Sequence, residues 1–222
     1  SNGVIIITTK GGNFSGGQSA EKVTIEYTNF VSLDRVANRL DFLTGDEIRA
    51  YAAQIGSANF QDEGANTDWL DEIYRTGISQ QHTLAINKSD ENTNLRASVS
   101  ANNLTGVLKG TRKDRYIARM NIAQKALNDK LTLTARLSAT IENNEYVQYD
   151  GGSSPTNVIY QAIRRSPTDP VYNADGSFFE TDRNFQYNNP VALIEQIQNN
   201  RDAKRLLANF GAVYKINDHW NI

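Results

Sequence analysis

The chain contains no cysteine, which excludes disulfides, thiolate metal sites and cysteine nucleophiles together. Histidine is nearly absent: His82 and His219 are 2 residues far apart in sequence, each placed near a strand end. They read as interfacial or turn histidines rather than as a metal pair. Charge of one sign is lacking too, with 23 Lys and Arg against 25 Asp and Glu. No basic field argues for nucleic acid or for an anionic membrane surface. No apolar run approaches the ~18 residues that a membrane-spanning helix requires. Ser1-Asn2-Gly3 leads straight into Val4-Ile5-Ile6-Ile7 without a basic n-region or a cleavage site, so this stretch is not a signal peptide. No Gly-x-Ser-x-Gly elbow, Walker motif or His-Glu-x-x-His helix occurs. The acidic run Asp169–Gly176 partly mimics a calcium loop, but Val171 stands where the first alternate oxygen ligand belongs, which makes it a structural turn. Nothing points to catalytic residues, metal or cofactor, and the sequence reads as that of a non-enzyme.

A mean hydropathy of −0.55 ordinarily indicates a soluble protein. Transmembrane β-barrels escape that inference, because each strand alternates lipid-facing apolar residues with polar residues facing a wet lumen. Period-2 alternation is the dominant pattern here. In 131–141 the odd positions are Leu131, Leu133, Ala135, Leu137, Ala139 and Ile141, against Thr132, Thr134, Arg136, Ser138 and Thr140. Similar runs occupy 23–33 and 204–216, with weaker ones at 82–88, 93–103 and 114–127. Several exceed the ~5–6 residues usual in soluble strands and match the ~9–11 needed to cross a bilayer at a tilt. Arg96, Arg115, Arg119, Arg136 and Arg205 all fall on the polar faces.

Connection lengths alternate by parity. Long gaps follow the first and fifth strands, a middling one lies near Leu104–Lys113, and tight turns are expected at Ser89-Asp90-Glu91, Asn128-Asp129-Lys130 and Asn217-Asp218-His219. Outer-membrane barrels sort their loops in this way, with tight periplasmic turns and long extracellular loops. A seventh strand is expected to start near Ile222. An open sheet of this kind leaves bare edges that cost several kcal/mol per unpaired group in lipid, so the expectation is a segment of a larger barrel.

The long gaps carry local structure. Thr44 and Glu47 form a capping box before a helix over 44–54, and a second short helix is expected over 156–165, ended by Ser166-Pro167. Asp175-Gly176 reads as a hairpin turn. Arg164-Arg165 reads as a solvated helix end. Tyr146, Tyr149, Tyr160, Tyr172, Phe178, Phe179, Phe185 and Tyr187 crowd the second gap. They provide either a platform for a ligand or a small core for the loop itself.

Four stretches, Ser1–Gly12, Asp68–Gly77, Arg164–Ser177 and Asn189–Gln196, together resemble the SusC/RagA type of TonB-dependent outer-membrane importer. Ser1–Gly12 resembles the end of that family's plug domain, and Asp68–Gly77 the approach to its second barrel strand. Arg164–Ser177 and Asn189–Gln196 resemble parts of a large extracellular loop. The resemblance implies an all-β, antiparallel plugged barrel of about 22 strands. The chain would supply the plug end (1–12), a linker (13–21), and six to seven strands from 22 to 222, with short helices in extracellular loops near 35–81 and 145–203. It further implies TonB-dependent import of oligosaccharides or peptides across the bacterial outer membrane. Implied partners are a SusD-like surface lipoprotein, the TonB–ExbB–ExbD complex and outer-membrane lipid, without nucleic acid. Tyr149, Tyr160, Tyr172 and Phe179 are the candidate contacts to substrate or lipoprotein. A passive porin or adhesin barrel and a soluble carbohydrate-binding β-protein are the alternatives.

Overall fold

The computed structural model describes residues 22–150, 154–181, 187–217 and 220–222. The expected plug end and linker, along with Phe185 and His219, lie outside the described residues. The strands are β1 (Lys22–Asp34), β2 (Gly77–Ser89), β3 (Thr93–Thr105), β4 (Arg112–Ala126), β5 (Leu131–Glu145) and β6 (Asn200–Tyr214). They form one 6-stranded antiparallel sheet in which every strand pairs with its neighbours in the chain.

The register turns the alternation of single strands into a two-faced wall, since residues paired across strands share a face. Tyr27, Leu84, Val99, Ala118, Ala139 and Leu206 form one row across the sheet, and Ile25, Ile86, Ala97, Met120, Leu137 and Ala208 the next but one. Both belong to a continuous apolar band, and it is bare: Ile25 is 71% exposed and Leu206 74%. Leu131, Leu133, Leu137 and Ile141 lie on this face, while Thr132, Thr134 and Arg136 lie on the other, as expected.

His82 sits within β2 on the apolar face, not near a strand end. Its Nδ1 lies 2.8 Å from both the Tyr27 hydroxyl and the Asn29 amide. The strand starts at Gly77, earlier than its apolar alternation, because pairing with β1 continues through Ser79, Gln80 and Gln81. Ser79 is buried there, its hydroxyl accepting from Thr105 N at 3.3 Å, so small and polar residues continue the backbone ladder without an apolar alternation.

Tight turns occupy one end of the sheet. Asp90 Oδ1 accepts from the amides of Asn92 and Thr93 at 2.9 and 2.6 Å. Leu127, Asn128 and Asp129 turn β4 into β5 with φ of 53°, 53° and 65°. After β6 the chain doubles back, and Tyr214 and Ile222 exchange backbone hydrogen bonds of 2.7 and 2.9 Å. That is the pairing expected at the onset of a further strand.

The opposite end carries the connections 35–76, 106–111 and 146–199, which hold α1 (Gly45–Gln54), α2 (Trp69–Ile73), α3 (Val158–Arg164) and α4 (Pro190–Gln196). The Thr44/Glu47 capping box of α1 forms as the sequence indicates. α3 starts later than expected, because Asn157 rather than an earlier residue caps it by accepting from Tyr160 N. Asp175-Gly176 makes its turn between the bridged residues Tyr172 and Phe178. Among the buried apolar residues described, Ala85 alone belongs to a strand. The core of this chain lies in its loops.

Candidate functional site

The three connections at the looped end pack into one cap. Trp69, Leu70 and Ile73 of α2, Leu108 from the β3–β4 connection, Val147, Val158 and Ala162 around α3, and Val191 of α4 form a single buried cluster. Backbone bonds stitch the segments together: Arg75 N to Val107 O and Lys109 N to Ile73 O at 2.8 Å, and Thr67 N to Pro167 O at 2.8 Å. Gly110 shows how close the packing is. Its φ is +77°, and a Cβ there would meet Val147 Cγ1 at 2.8 Å and Ile194 Cγ2 at 3.0 Å.

Arg165 is the hub of the cap. Its side chain is 1% exposed and lies 3.5 Å from Asp169 and 3.1 Å from Glu180. The guanidinium donates to the carbonyls of Tyr187 at 2.6 Å and Phe179 at 2.7 Å. It also stacks over Trp69 and Phe179 at 5.2 and 5.7 Å from their ring centroids. The expectation of a solvated helix end is therefore corrected for Arg165. A guanidinium whose terminal N–H groups meet a carboxylate and two carbonyls, with a second carboxylate 3.5 Å from Nε and rings on its faces, is able to be buried. Arg164 next to it remains exposed, donating to the Tyr187 hydroxyl at 2.7 Å and facing the rings of Tyr160 and Tyr187 at 5.9 and 5.2 Å. The bond to Tyr187 holds its pKa above the usual arginine value. Asp169 and Asp175, the acids of the calcium-like run, turn to Arg165 and to Ser177.

The aromatic residues singled out in the sequence do not form one platform. Tyr160 meets Tyr187 edge-on at 6.3 Å beside Arg164. Tyr172 packs on Phe178 at 5.2 Å, and burial together with the Glu195 and Glu72 carboxylates pushes its hydroxyl pKa up. Phe179 lies against the buried Arg165. Tyr149 is 57% exposed and has no ring partner or side-chain hydrogen bond among the described residues. A cleft of about 890 Å³ opens between the β1–β2 connection and α3, lined by Arg39, Phe42, Thr67, Trp69, Ile163 and Arg164 among others. Its volume falls in the range of small-ligand sites.

Trp69 and Asn189 organise this cap together with Arg165, and neither of the two was singled out from the sequence. Asn189 is fully buried; its Oδ1 caps α4 and its Nδ2 reaches Val171 O at 2.8 Å. The signals were Asp68 before α2 and Asn189-Pro190 before α4, each an N-cap, the second followed by proline at the first helical position.

No family model matches the sequence. The TonB-dependent receptor SusC of Bacteroides thetaiotaomicron is 35% identical over 180 residues, covering 80% of this chain and 17% of the relative. The TonB-dependent receptor P3 of Formosa agariphila is 32% identical over 219 residues, covering 98% of this chain and 21% of the relative. This chain thus spans about a fifth of the length of the curated relatives it matches. Among solved structures, the RagAB peptide importer in its closed-closed state superposes with a TM-score of 0.71 at 15% identity, over 95% of this chain and 27% of that one. Its open-open state gives 0.70 at 14% identity over 91% and 27%. The fold is therefore that of a barrel transporter's wall. The chain belongs to the SusC/RagA-type TonB-dependent receptors.

Proposed function

We propose that this chain forms wall and outer loops of an energised importer that moves oligosaccharides or peptides across the bacterial outer membrane. The observation that carries the reading is the location of the core. The sheet keeps a bare, continuous apolar band, while the buried apolar side chains gather in the loops at one end. A wall of this kind needs lipid against its apolar face and further strands at β1 and β6. The family supplies the rest. Energy arrives through TonB–ExbB–ExbD acting on another part of the receptor, and a SusD-like lipoprotein docks over the loop cap.

Tyr149, Tyr160, Tyr172 and Phe179 remain the proposed contacts to substrate or lipoprotein, with an order among them. Tyr149 is free of the cap's own packing, and Tyr160 borders the Arg164 cluster beside the cleft. Tyr172 and Phe179 also support their neighbours. In cells expressing the full-length receptor, uptake of a labelled oligosaccharide or peptide should stop when TonB is deleted. Uptake that persists without TonB would indicate a passive pore and overturn the reading. Tyr149→Ala should reduce uptake with the heat-modifiable migration of the barrel intact, and unchanged uptake removes that residue from the contact set.

A further inference from the structure

The polar face of the sheet bears one large aromatic that the alternation does not explain. Even positions of β1 are Thr24, Glu26, Thr28 and Ser32, yet Phe30 stands among them, 61% exposed. Its row continues through Gln81 and Asn102 to Arg115. Neither the Gln81 nor the Asn102 amide has a side-chain hydrogen bond among the described residues, and Gln81 is exposed. Phe30, Gln81, Asn102 and Ser100 line a groove of about 410 Å³ that reaches Arg119. Arg115 is engaged with Glu142 at 2.6 Å, and Arg96 with Glu26 at 3.2 Å. Arg119, also in the groove, has no ion pair among the described residues.

From this juxtaposition we infer that the groove is a subsite for a sugar ring carrying an acidic substituent, such as a uronic acid or a sulfated sugar. The inference rests on the import reading, which makes this face the inner wall of the transport path. Phe30 offers a flat apolar face for a ring. Gln81 and Asn102, one and two strand spacings away (~5 and ~10 Å), offer donor and acceptor pairs for hydroxyls. Arg119 supplies the fork that a carboxylate or sulfate takes in bidentate fashion. The row lies toward the looped end, so a ligand entering past the cap meets it early. An alternative occupant is the receptor's own plug, packing on Phe30.

Titration calorimetry on the detergent-purified full-length receptor separates these. The probes are an oligogalacturonate, a heparin-derived tetrasaccharide and neutral maltoheptaose. At least one acidic probe should bind more tightly than maltoheptaose, with an affinity that falls as salt is raised. Phe30→Ala and the pair Gln81→Ala/Asn102→Ala should each weaken that binding at least tenfold. Arg119→Gln should abolish the acidic preference and flatten the salt dependence, with heat-modifiable migration unchanged in every variant. Failure of both acidic probes to bind, or an acidic preference that survives Arg119→Gln, overturns the proposal. So does a Phe30→Ala receptor that binds sugar normally but leaks ions in planar bilayers, which would assign Phe30 to the plug. TonB-dependent uptake of a neutral glycan or a peptide alongside such a failure would leave the import reading standing.

Discussion

The wall and the cap solve opposite problems with the same backbone. The wall buries almost nothing within the chain: one face is a continuous apolar band, the other is polar, and both are open. Its hydrogen bonds are satisfied strand to strand, and its hydrophobic partner lies outside the chain. The cap, built from segments distant in sequence, encloses its own core and adds a buried Arg165 with carboxylate, carbonyl and ring partners. A wall whose core is the bilayer tolerates any sequence that keeps its period. A cap whose core is internal depends on particular residues. Substitutions in the two regions should therefore fail in different ways.

The largest effect is expected at Arg165. Arg165→Ala leaves Asp169 buried without its cation and strips donors from Phe179 and Tyr187, and breaking a buried pair costs ~3–5 kcal/mol. The cap should lose its order while the wall persists. Limited proteolysis of the full-length receptor should then cut within 146–199 while heat-modifiable migration remains. Simultaneous loss of the barrel would show that cap and wall are one cooperative unit. On the wall, Leu137 lies in the middle rows of the apolar band and Leu133 nearer the tight turns. Leu137→Arg should cost ~2–4 kcal/mol and Leu133→Arg less, with Thr134→Arg on the opposite face close to neutral. Urea titration of the receptor folded in lipid gives the series. Equal costs for Leu137 and Thr134 would refute the assignment of faces.

What was legible in the sequence divides along the same line. The wall could be read strand by strand because its periodicity is local: Leu131 to Ile141 declare their face without reference to another strand. The two-faced pattern also fixed the parity of the loops. Strand starts were missed at the outer ends, where Gly77 and Ser79 pair with β1 while buried beside Thr105, so the small and polar residues there show no apolar alternation. Within the cap only local signals were readable, namely the Thr44/Glu47 box, the short helix before Ser166-Pro167 and the Asp175-Gly176 turn. α2 spans 5 residues, too short to show a helical period. Arg165 looks solvated until Trp69 and Phe179, both remote in sequence, are brought onto its faces. A contact of that kind has no periodicity to read.

The cap has an acid-sensitive edge outside its core. Glu47 is held below the usual carboxylate range, chiefly by the Thr44 backbone N–H, and Asp62 likewise by the Arg49 guanidinium and the Gly64 amide. Both folded pKa values are depressed, so their stabilisation is present above the ordinary carboxylate values of ~4 and lost as pH falls through the folded ones. Acidification from neutral to below ~4 should release α1 before α2–α4, whose cluster is apolar. Hydrogen-exchange protection, corrected for intrinsic rates, reports this in the full-length receptor. Glu47→Gln keeps a capping partner without titrating and should remove part of the pH dependence. Loss of α1 and of the central cluster at the same pH would contradict this order.

The smallest effect concerns the tight end of the wall, where local conformation rather than burial decides. Leu127, Asn128 and Asp129 all adopt left-handed backbone conformations between β4 and β5. Asn and Asp tolerate this region, because their short polar side chains bond locally. Leucine gains nothing comparable there, and its side chain is 63% exposed, so packing does not compensate. Leu127→Asn should therefore raise the unfolding free energy by a few tenths of a kcal/mol up to ~1 kcal/mol. Leu127→Val should lower it, since a β-branched side chain fits left-handed backbone worse still. Urea midpoints of the lipid-folded receptor measure both, with unchanged slopes confirming that only stability moved. Should Asn prove destabilising instead, Leu127 must be covered in the whole receptor. The tight end would then bury apolar surface against another part of the protein, as the cap does.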